Sequence, residues 1–331
     1  MKKEQKIDFV MLWVDGNDEK WRKEKNKYSS DKTMDSRDIR YRDWELLKYW
    51  FRGVEKYASW VNKIYFVTCG HLPEWLDTSN KKLVIVNHKD YIPEEFLPTF
   101  SSHPIELNLH RIKNLSEEFV YFNDDLFILK ETKPTDFFID GLPCGTAVFN
   151  PPSAVDDLFL SVLYNNNLLI NRNFDKNEIW KKNKKKYINH KYGLESIRTL
   201  LCLPWSRIQG FKEYHGPVSL LKSTYLEVWE KEEELLKTTS SHKFRSKDDV
   251  NQYILKNWQF CKGNFIPSKL DFKFVKIKSD YKNVCKMIEN QKHKIICIND
   301  VEGIENFEEI KENLIKSFEK VLPEKSTFEK K

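Results

Sequence analysis

Two carboxylates stand side by side in an otherwise apolar run: FVYFNDDLFIL, residues 119–129, is interrupted only by Asn123, Asp124 and Asp125. A polar group left unpaired in such a run costs about 2–7 kcal/mol, so something must compensate. A bound divalent cation would do so, and so would a turn, which Asn and Asp favour. A second acidic bend, Asp15-Gly16-Asn17-Asp18, closes another apolar run, IDFVMLWVDGND. Gly16 permits the close backbone approach that a diphosphate needs, although Asp-Gly is equally an ordinary turn. If both bends lie at one sheet edge, Asp15, Asp18, Asp124 and Asp125 could surround magnesium, or manganese in its place. Such ions take carboxylates together with phosphate oxygens.

Other candidates are less sharply marked. Glu106 and His110 are four residues apart, a spacing that makes them neighbours on one helix face, with Arg111 to the side. A solvated surface explains that spacing as well, but the polar entrance FSSHPIE offers free backbone amides to an anion. His215, in EYHGPVS, can take a proton near neutral pH, as can most loop histidines that do no chemistry. Arg245 directly precedes Ser246, so its guanidinium and the following helix's amides could face one anion; a salt bridge to Asp248 or Asp249 competes.

The elements that must position these residues read as α/β. Buried-type strands are expected at 7–18, 62–70, 82–91 and 119–129. Leu47, Trp50, Phe51, Val54 and Tyr57 recur at helical spacing within 42–58, and Ile105, Leu109 and Ile112 within 103–115. Strand, helix, strand in succession gives a Rossmann-like, mostly parallel sheet with flanking helices, whose ligands bind at the carboxyl ends of the strands. Helices are also expected at 223–238, with Thr224 and Glu227 as a capping box, and at 246–261, opened by Ser246 and Asp249. The tail after 302 reads as helical. Residues 1–130 form a nucleotide-sugar-type core in this reading, 131–210 an insertion or variable subdomain, and 211–331 a mainly helical part that completes the site.

The 331 residues, 40% hydrophobic and 14% aromatic, suffice for a large core. No apolar run reaches the ~18 residues of a membrane span, and the start MKKEQKIDFVMLWVDG lacks a cleavage site, so a cytoplasmic location is expected. The six cysteines are scattered without C-x-x-C pairs and read as reduced core residues. The net charge of +6 is concentrated in patches such as WKKNKKKYINHK, 180–191. A solvated face, or attraction to anionic lipid at the inner face of the membrane, fits those patches; no nucleic-acid module is visible.

Taken together, IDFVMLWVDGND, the span from RYRDWELLKYW to FVYFNDDLFI, KYGLESIRTLLCLPW through HGPVSLLKSTYLEVWEKE, SSHKFRSKDDVNQYILKNWQF, IICINDVE and LPEKSTFE resemble the four blocks of the Stealth family. These are bacterial capsular polysaccharide phosphotransferases, related to the animal N-acetylglucosamine-1-phosphotransferase. The resemblance implies transfer of a sugar 1-phosphate from a nucleotide sugar, a UDP-hexose or UDP-N-acetylhexosamine, to a glycan hydroxyl, with UMP released. The glycan acceptor could be lipid-linked. It implies that Asp125, His215 and Arg245 are catalytic: a magnesium ligand with Asp124, a general base, and a stabiliser of phosphate charge. It further implies donor or acceptor binding by Asp15, Gly16, Asn17, Arg42, Glu106, Asn108, His110, Arg111 and Asn123, with Asp18 beside the metal. Two rivals stand at this point: a metal-dependent glycosyltransferase that releases UDP, and a non-catalytic glycan- or membrane-binding protein.

Overall fold

Along the first apolar run, Ile7, Phe9 and Met11 are buried on one side and Val10 on the other. Burial on both faces is what the centre of a covered parallel sheet requires. The computed structural model describes residues 5–29, 35–153, 158–278 and 280–331. Among these the strands are β1 (Ile7–Leu12), β2 (Ile64–Thr68), β3 (Leu83–Asn87), β4 (Glu118–Phe122), β5 (Leu126–Ile128), β6 (Phe138–Ile139), β7 (Leu142–Gly145), β8 (Val218–Leu221), β9 (Ile266–Pro267), β10 (Phe272–Lys276) and β11 (Ile295–Asn299). The α-helices are α1 (Glu19–Tyr28), α2 (Leu47–Tyr57), α3 (Ser102–Leu107), α4 (Pro134–Phe137), α5 (Leu158–Asn173), α6 (Lys176–Tyr187), α7 (Ser196–Cys202), α8 (Lys222–Lys231), α9 (Glu233–Ser241), α10 (Tyr253–Lys262), α11 (Tyr281–Glu289) and α12 (Phe307–Val321).

The central sheet has the order β3-β2-β1-β4-β8. Its first four strands are parallel, and β8 is an antiparallel edge. This is the expected α/β architecture. From β1 the chain proceeds outward to β2 and β3, then returns to the other side of β1 as β4. Between β1 and β4 the connections therefore diverge, leaving a crevice at their carboxyl ends where open α/β sheets bind ligands. One apolar layer, including Phe9, Trp50, Phe66 and Phe318, joins the sheet to α2 and α12; the other joins Tyr65, Phe119 and Trp258 from α10. No helix among the described residues is long and apolar enough to cross a membrane.

Several expected elements are divided. The run 119–129 is two strands in two sheets: β4 belongs to the central sheet, whereas β5 pairs antiparallel with β11 in a second sheet ordered β10-β11-β5. Asn123, Asp124 and Asp125 are the corner between them. The helix expected over 103–115 ends at Leu107, and a 3-10 turn, Leu109–Arg111, follows. The helix expected over 223–238 is α8 then α9, with Glu232 in a non-helical conformation between them. Thr224 lies inside α8, its hydroxyl 3.3 Å from Gln259 Oε1, and caps nothing. Ser246 and Asp249 do exchange bonds, Ser246 N to Asp249 Oδ2 at 3.0 Å, but as a turn ahead of α10 rather than as its first residues.

The chain-order divisions at 130 and 210 interlock in space, since β8 edges the first sheet and β5 joins β11. The C-terminal segment is likewise tied down. Buried Arg52 of α2 donates to both oxygens of Glu329, at 2.8 and 2.9 Å, and to the Leu322 carbonyl at 2.8 Å.

Candidate functional site

A cleft of ≈ 330 Å³ opens at the β1–β4 crevice. Its walls come from the end of β1, the 39–47 segment, α3 with the loop before it, the β4–β5 corner, His215, Arg245, residues 251–253, and the end of β11. An open depression of ≈ 760 Å³ between α11 and α12 shares no lining residue with it.

Asp125 forms the floor of the cleft. Its Oδ2 meets His215 Nε2 at 3.0 Å and accepts from the Cys297 thiol at 3.1 Å, while its backbone carbonyl accepts from Ile298 N at 2.8 Å. The bend at 123–125 thus turns a carboxylate toward β11 instead of burying it in one sheet. Burial by itself would raise the Asp125 carboxyl, but the His215 charge and the hydrogen bonds hold it below the usual carboxylate range. Burial also opposes a charge on His215, yet Asp125 outweighs it and raises the imidazole above its ordinary value. The two shifts agree on a charged pair. Burial and the Asp125 charge push the Cys297 thiol far up, so it is a hydrogen-bond donor and not a thiolate.

Asp124 is exposed on the cleft floor. Enclosure by the cleft walls, then the charges of Asp125 and Asp43, push its carboxyl up to about 7. Because the side chain remains open to water, that enclosure is long-range and contributes little to stability. Asp43, half-buried, is raised first by burial and also by Asp15. Several carboxylates therefore crowd one cleft. Asp125 Oδ1 is buried with no hydrogen-bond partner of normal geometry, although the nearby Asn299 amide favours its charged form. An orphaned carboxylate oxygen beside a second, repelled carboxylate suits a hard divalent cation with oxygen ligands. Asp125, His215 and Cys297 also place ligand atoms within 4.8 Å of one another. With its thiol protonated, that set fits a hard cation less well than the two carboxylates do.

Arg245 reaches the same cleft. Its Nη2 donates to Ser102 Oγ at the start of α3, 3.1 Å away, and its carbonyl accepts from Asp35 N at 2.9 Å. Just beyond it, fully buried Asp249 accepts from His103 Nδ1 at 2.7 Å and His242 Nδ1 at 2.6 Å, which fixes the turn that presents Arg245. Arg42 lines the cleft from the other side, with its fork on Asp300 at 2.6 and 2.5 Å and its plane 4.9 Å from the Phe307 ring. Glu106 is buried and accepts from the Tyr121 hydroxyl at 3.0 Å; that hydroxyl also reaches Asn123 Oδ1 at 2.5 Å. Asn123 Nδ2 lies 3.5 Å from His215 Nε2.

Other expected residues go elsewhere. Asp18 caps α1 by accepting from Trp21 N at 2.7 Å and faces His71 at 3.9 Å. It is not a cleft residue, so the expected metal role does not fit its position. Asp15 stays near the cleft edge, accepting from Asn17 N at 2.8 Å, while exposed Asn17 faces solvent. Gly16 does permit a close approach, but what approaches is the backbone of Tyr41: a Cβ there would lie 2.0 Å from its carbonyl oxygen. Since the helix stops at Leu107, Glu106 and His110 are not face neighbours. His110 lies instead against Tyr225 and Trp229, its proton affinity lowered to about 3 by burial and by the charges of Arg111 and Lys222. Asn108 bonds Pro104 O and Ser240 Oγ, and Arg111 stacks 4.8 Å over Trp229. These three brace the wall behind the cleft and do not line it.

Asp43, Cys297, Asn299 and Asp300 were not singled out from sequence. IICIND repeats the pattern of VYFND, an apolar strand closed by Asn-Asp, and that repetition is the clue that points to Cys297, Asn299 and Asp300, whereas Asp43 has no such signal.

Conserved region 1 of the Stealth proteins matches residues 5–33, and conserved region 2 matches residues 40–143. The chain is 46% identical to the capsular polysaccharide phosphotransferase WcwK of Streptococcus pneumoniae, over 100% of both chains. This chain belongs to the Stealth family. It is a phosphotransferase. A second relative, the exopolysaccharide phosphotransferase cps2G of Lactiplantibacillus plantarum, is 40% identical over 98% of this chain and 96% of that one. Among solved structures, the galactosyltransferase LgtC in complex with donor and acceptor sugar analogues matches at TM-score 0.39 and 10% identity, over 93% of this chain and 95% of that one. That likeness carries no inference. Within the Stealth regions, region 1 contributes the β1 bend and region 2 contributes Arg42, Asp43, Glu106 and the 123–125 corner; His215, Arg245 and Asp300 come from later in the chain.

Proposed function

We propose that this enzyme transfers a sugar 1-phosphate from a nucleotide sugar, a UDP-hexose or UDP-N-acetylhexosamine, to a glycan hydroxyl during capsular or exopolysaccharide synthesis. The observation that carries the reading is the Asp125–His215 pair facing the same cleft as Arg245, together with relatives named as polysaccharide phosphotransferases. The acceptor oxygen forms a bond to the phosphorus next to the sugar, the bond from that phosphorus to the bridging oxygen of UMP breaks, and the anomeric C–O bond stays intact. The acceptor's proton goes to His215 in its neutral form, at the ring nitrogen that Asp125 does not hold, a base oriented by its carboxylate partner. Arg245 presents a guanidinium fork to the phosphoryl oxygens as charge builds on them. Arg42 and Asp300 hold the opposite wall in register. Asp125 through Oδ1, with Asp124, would hold magnesium or manganese, which would neutralise diphosphate charge.

The test is mass spectrometry of products from a panel of UDP- and GDP-sugars with a short glycan acceptor and magnesium. Release of UMP with acceptor gaining a sugar phosphate is expected. Release of UDP with acceptor gaining sugar alone would overturn the reading in favour of glycosyl transfer.

A further inference from the structure

The insertion between β7 and β8 exposes an apolar surface that the active site does not use. On the turn before α7, along it and just after it, Leu194 is 83% exposed, Ile197 50%, Leu200 47%, Leu201 71% and Trp205 58%. The opposite side of α7 is packed: Thr199 and Cys202 are buried, and Thr199 Oγ1 accepts from Phe149 N at 3.1 Å. The helix is thus two-sided, with its outward side the apolar one. Tyr164 and Leu168, one turn apart on α5, are also exposed, 50% and 63%. α5 adjoins the segment after Trp205, because Asn167 and Asn171 bond the carbonyls of Gln209 and Ile208 at 3.0 and 2.7 Å. Large aromatic and aliphatic groups gathered on an outer face mark an interaction surface.

Charge identifies the partner. α6 lies alongside α7: Lys176 at its start bonds the carbonyls of Cys202, Leu203 and Trp205, and Asn189 just beyond its end accepts from Ser196. Lys181, Lys182, Lys184 and Lys185 are exposed on α6, and Lys191, Arg198 and Arg207 are exposed in the segment that carries the apolar strip. Residues 176–207 carry nine Lys or Arg against two Glu, a net of +7, in a chain whose net charge is +6. An amphipathic segment with Trp and Leu outward and lysines around them matches the interface of an anionic bilayer. A second copy of this chain would have to bring lysines against lysines across a two-fold contact.

We infer that the α6–α7 face docks this enzyme on the surface of an anionic lipid bilayer, with Leu194, Ile197, Leu201 and Trp205 entering the headgroup region. The docked face is linked to the cleft. Glu195, between Leu194 and α7, accepts from Lys212 Nζ at 2.7 Å and from the Tyr214 hydroxyl, which precedes His215. Docking therefore engages the element that braces the segment leading into His215.

The experiment is co-sedimentation of the full-length protein with vesicles of phosphatidylcholine alone, or with one-third phosphatidylglycerol. The expected result is partition onto the anionic vesicles that is roughly tenfold or more above the neutral ones and weakens in high salt. The variant Leu194→Ser/Leu201→Ser/Trp205→Ser should lose most of that binding with its thermal melt unchanged. Lys181→Glu/Lys184→Glu should lose roughly tenfold or more. Absence of wild-type binding, or full binding by the serine variant, would overturn the proposal. So would a concentration-dependent dimer in sedimentation velocity that the serine variant abolishes without any vesicle binding. None of these outcomes bears on the reaction catalysed, which is read separately from products.

Discussion

Replacing Gly16 by alanine tests how the β1 bend serves the cleft. The new methyl would stand 2.0 Å from the Tyr41 carbonyl oxygen and 2.8 Å from its carbon, where ordinary contact begins at 3.4 Å. The obstacle is backbone, so it cannot swing aside as a side-chain tip would. Tyr41 must retreat, and it precedes Arg42 and Asp43, both of which line the cleft. Arg42 is also clamped to Asp300 by two charged bonds, so the retreat either breaks that clamp or drags the end of β11 with it. A displacement on the order of 1 Å in groups that position a reacting phosphate costs about a hundredfold in rate, equivalent to about 2.7 kcal/mol at the transition state. Overpacking should cost the fold about 1–3 kcal/mol. Steady-state kinetics on the nucleotide-sugar donor, with a thermal melt in parallel, separate the two effects. A Gly16→Ala enzyme that keeps its rate to within about twofold would refute the idea that loop position limits turnover.

Other outcomes are expected. Arg52→Met leaves Glu329 charged and buried, so unfolding in urea should show a loss of about 3–5 kcal/mol, whereas Arg52→Met with Glu329→Met should recover much of it. Since the Asp125 charge raises His215, kcat/KM should climb with pH along a limb centred above 6.5, and Asp125→Asn should move the His215 titration, followed by NMR, to lower pH. The pair's stabilisation has the matching window. It is present above the depressed Asp125 value and is lost in acid as that group protonates; it is lost again in alkali as pH rises through the raised His215 value. Chelation should abolish turnover, and Asp124→Asn should raise the magnesium concentration for half-maximal rate by roughly tenfold.

The residue pattern along the chain is enough to give the parallel core and to bring its two acidic bends to one end of the sheet. Apolar strands closed by Asp-Gly or Asn-Asp, with a helix of clean 3.6 periodicity between the first two, fix strand direction and so put both acidic bends at one edge; β1 and β4 are indeed neighbours with Met11 opposite Phe122. His110 shows where periodicity failed, since a helix that ends at Leu107 rotates every later residue off the expected face. Local spacing could not reveal that Asp125 would meet Cys297, 172 residues away, or that Arg42 would clamp Asp300, 258 away. The Asp18 cap of α1 is a local signal that the chain does carry, but nothing in the spacing shows that Leu194 and Leu201 are left facing outward. Those outcomes depend on which long-range contacts the packed sheets permit, and such contacts leave no period in the chain to read.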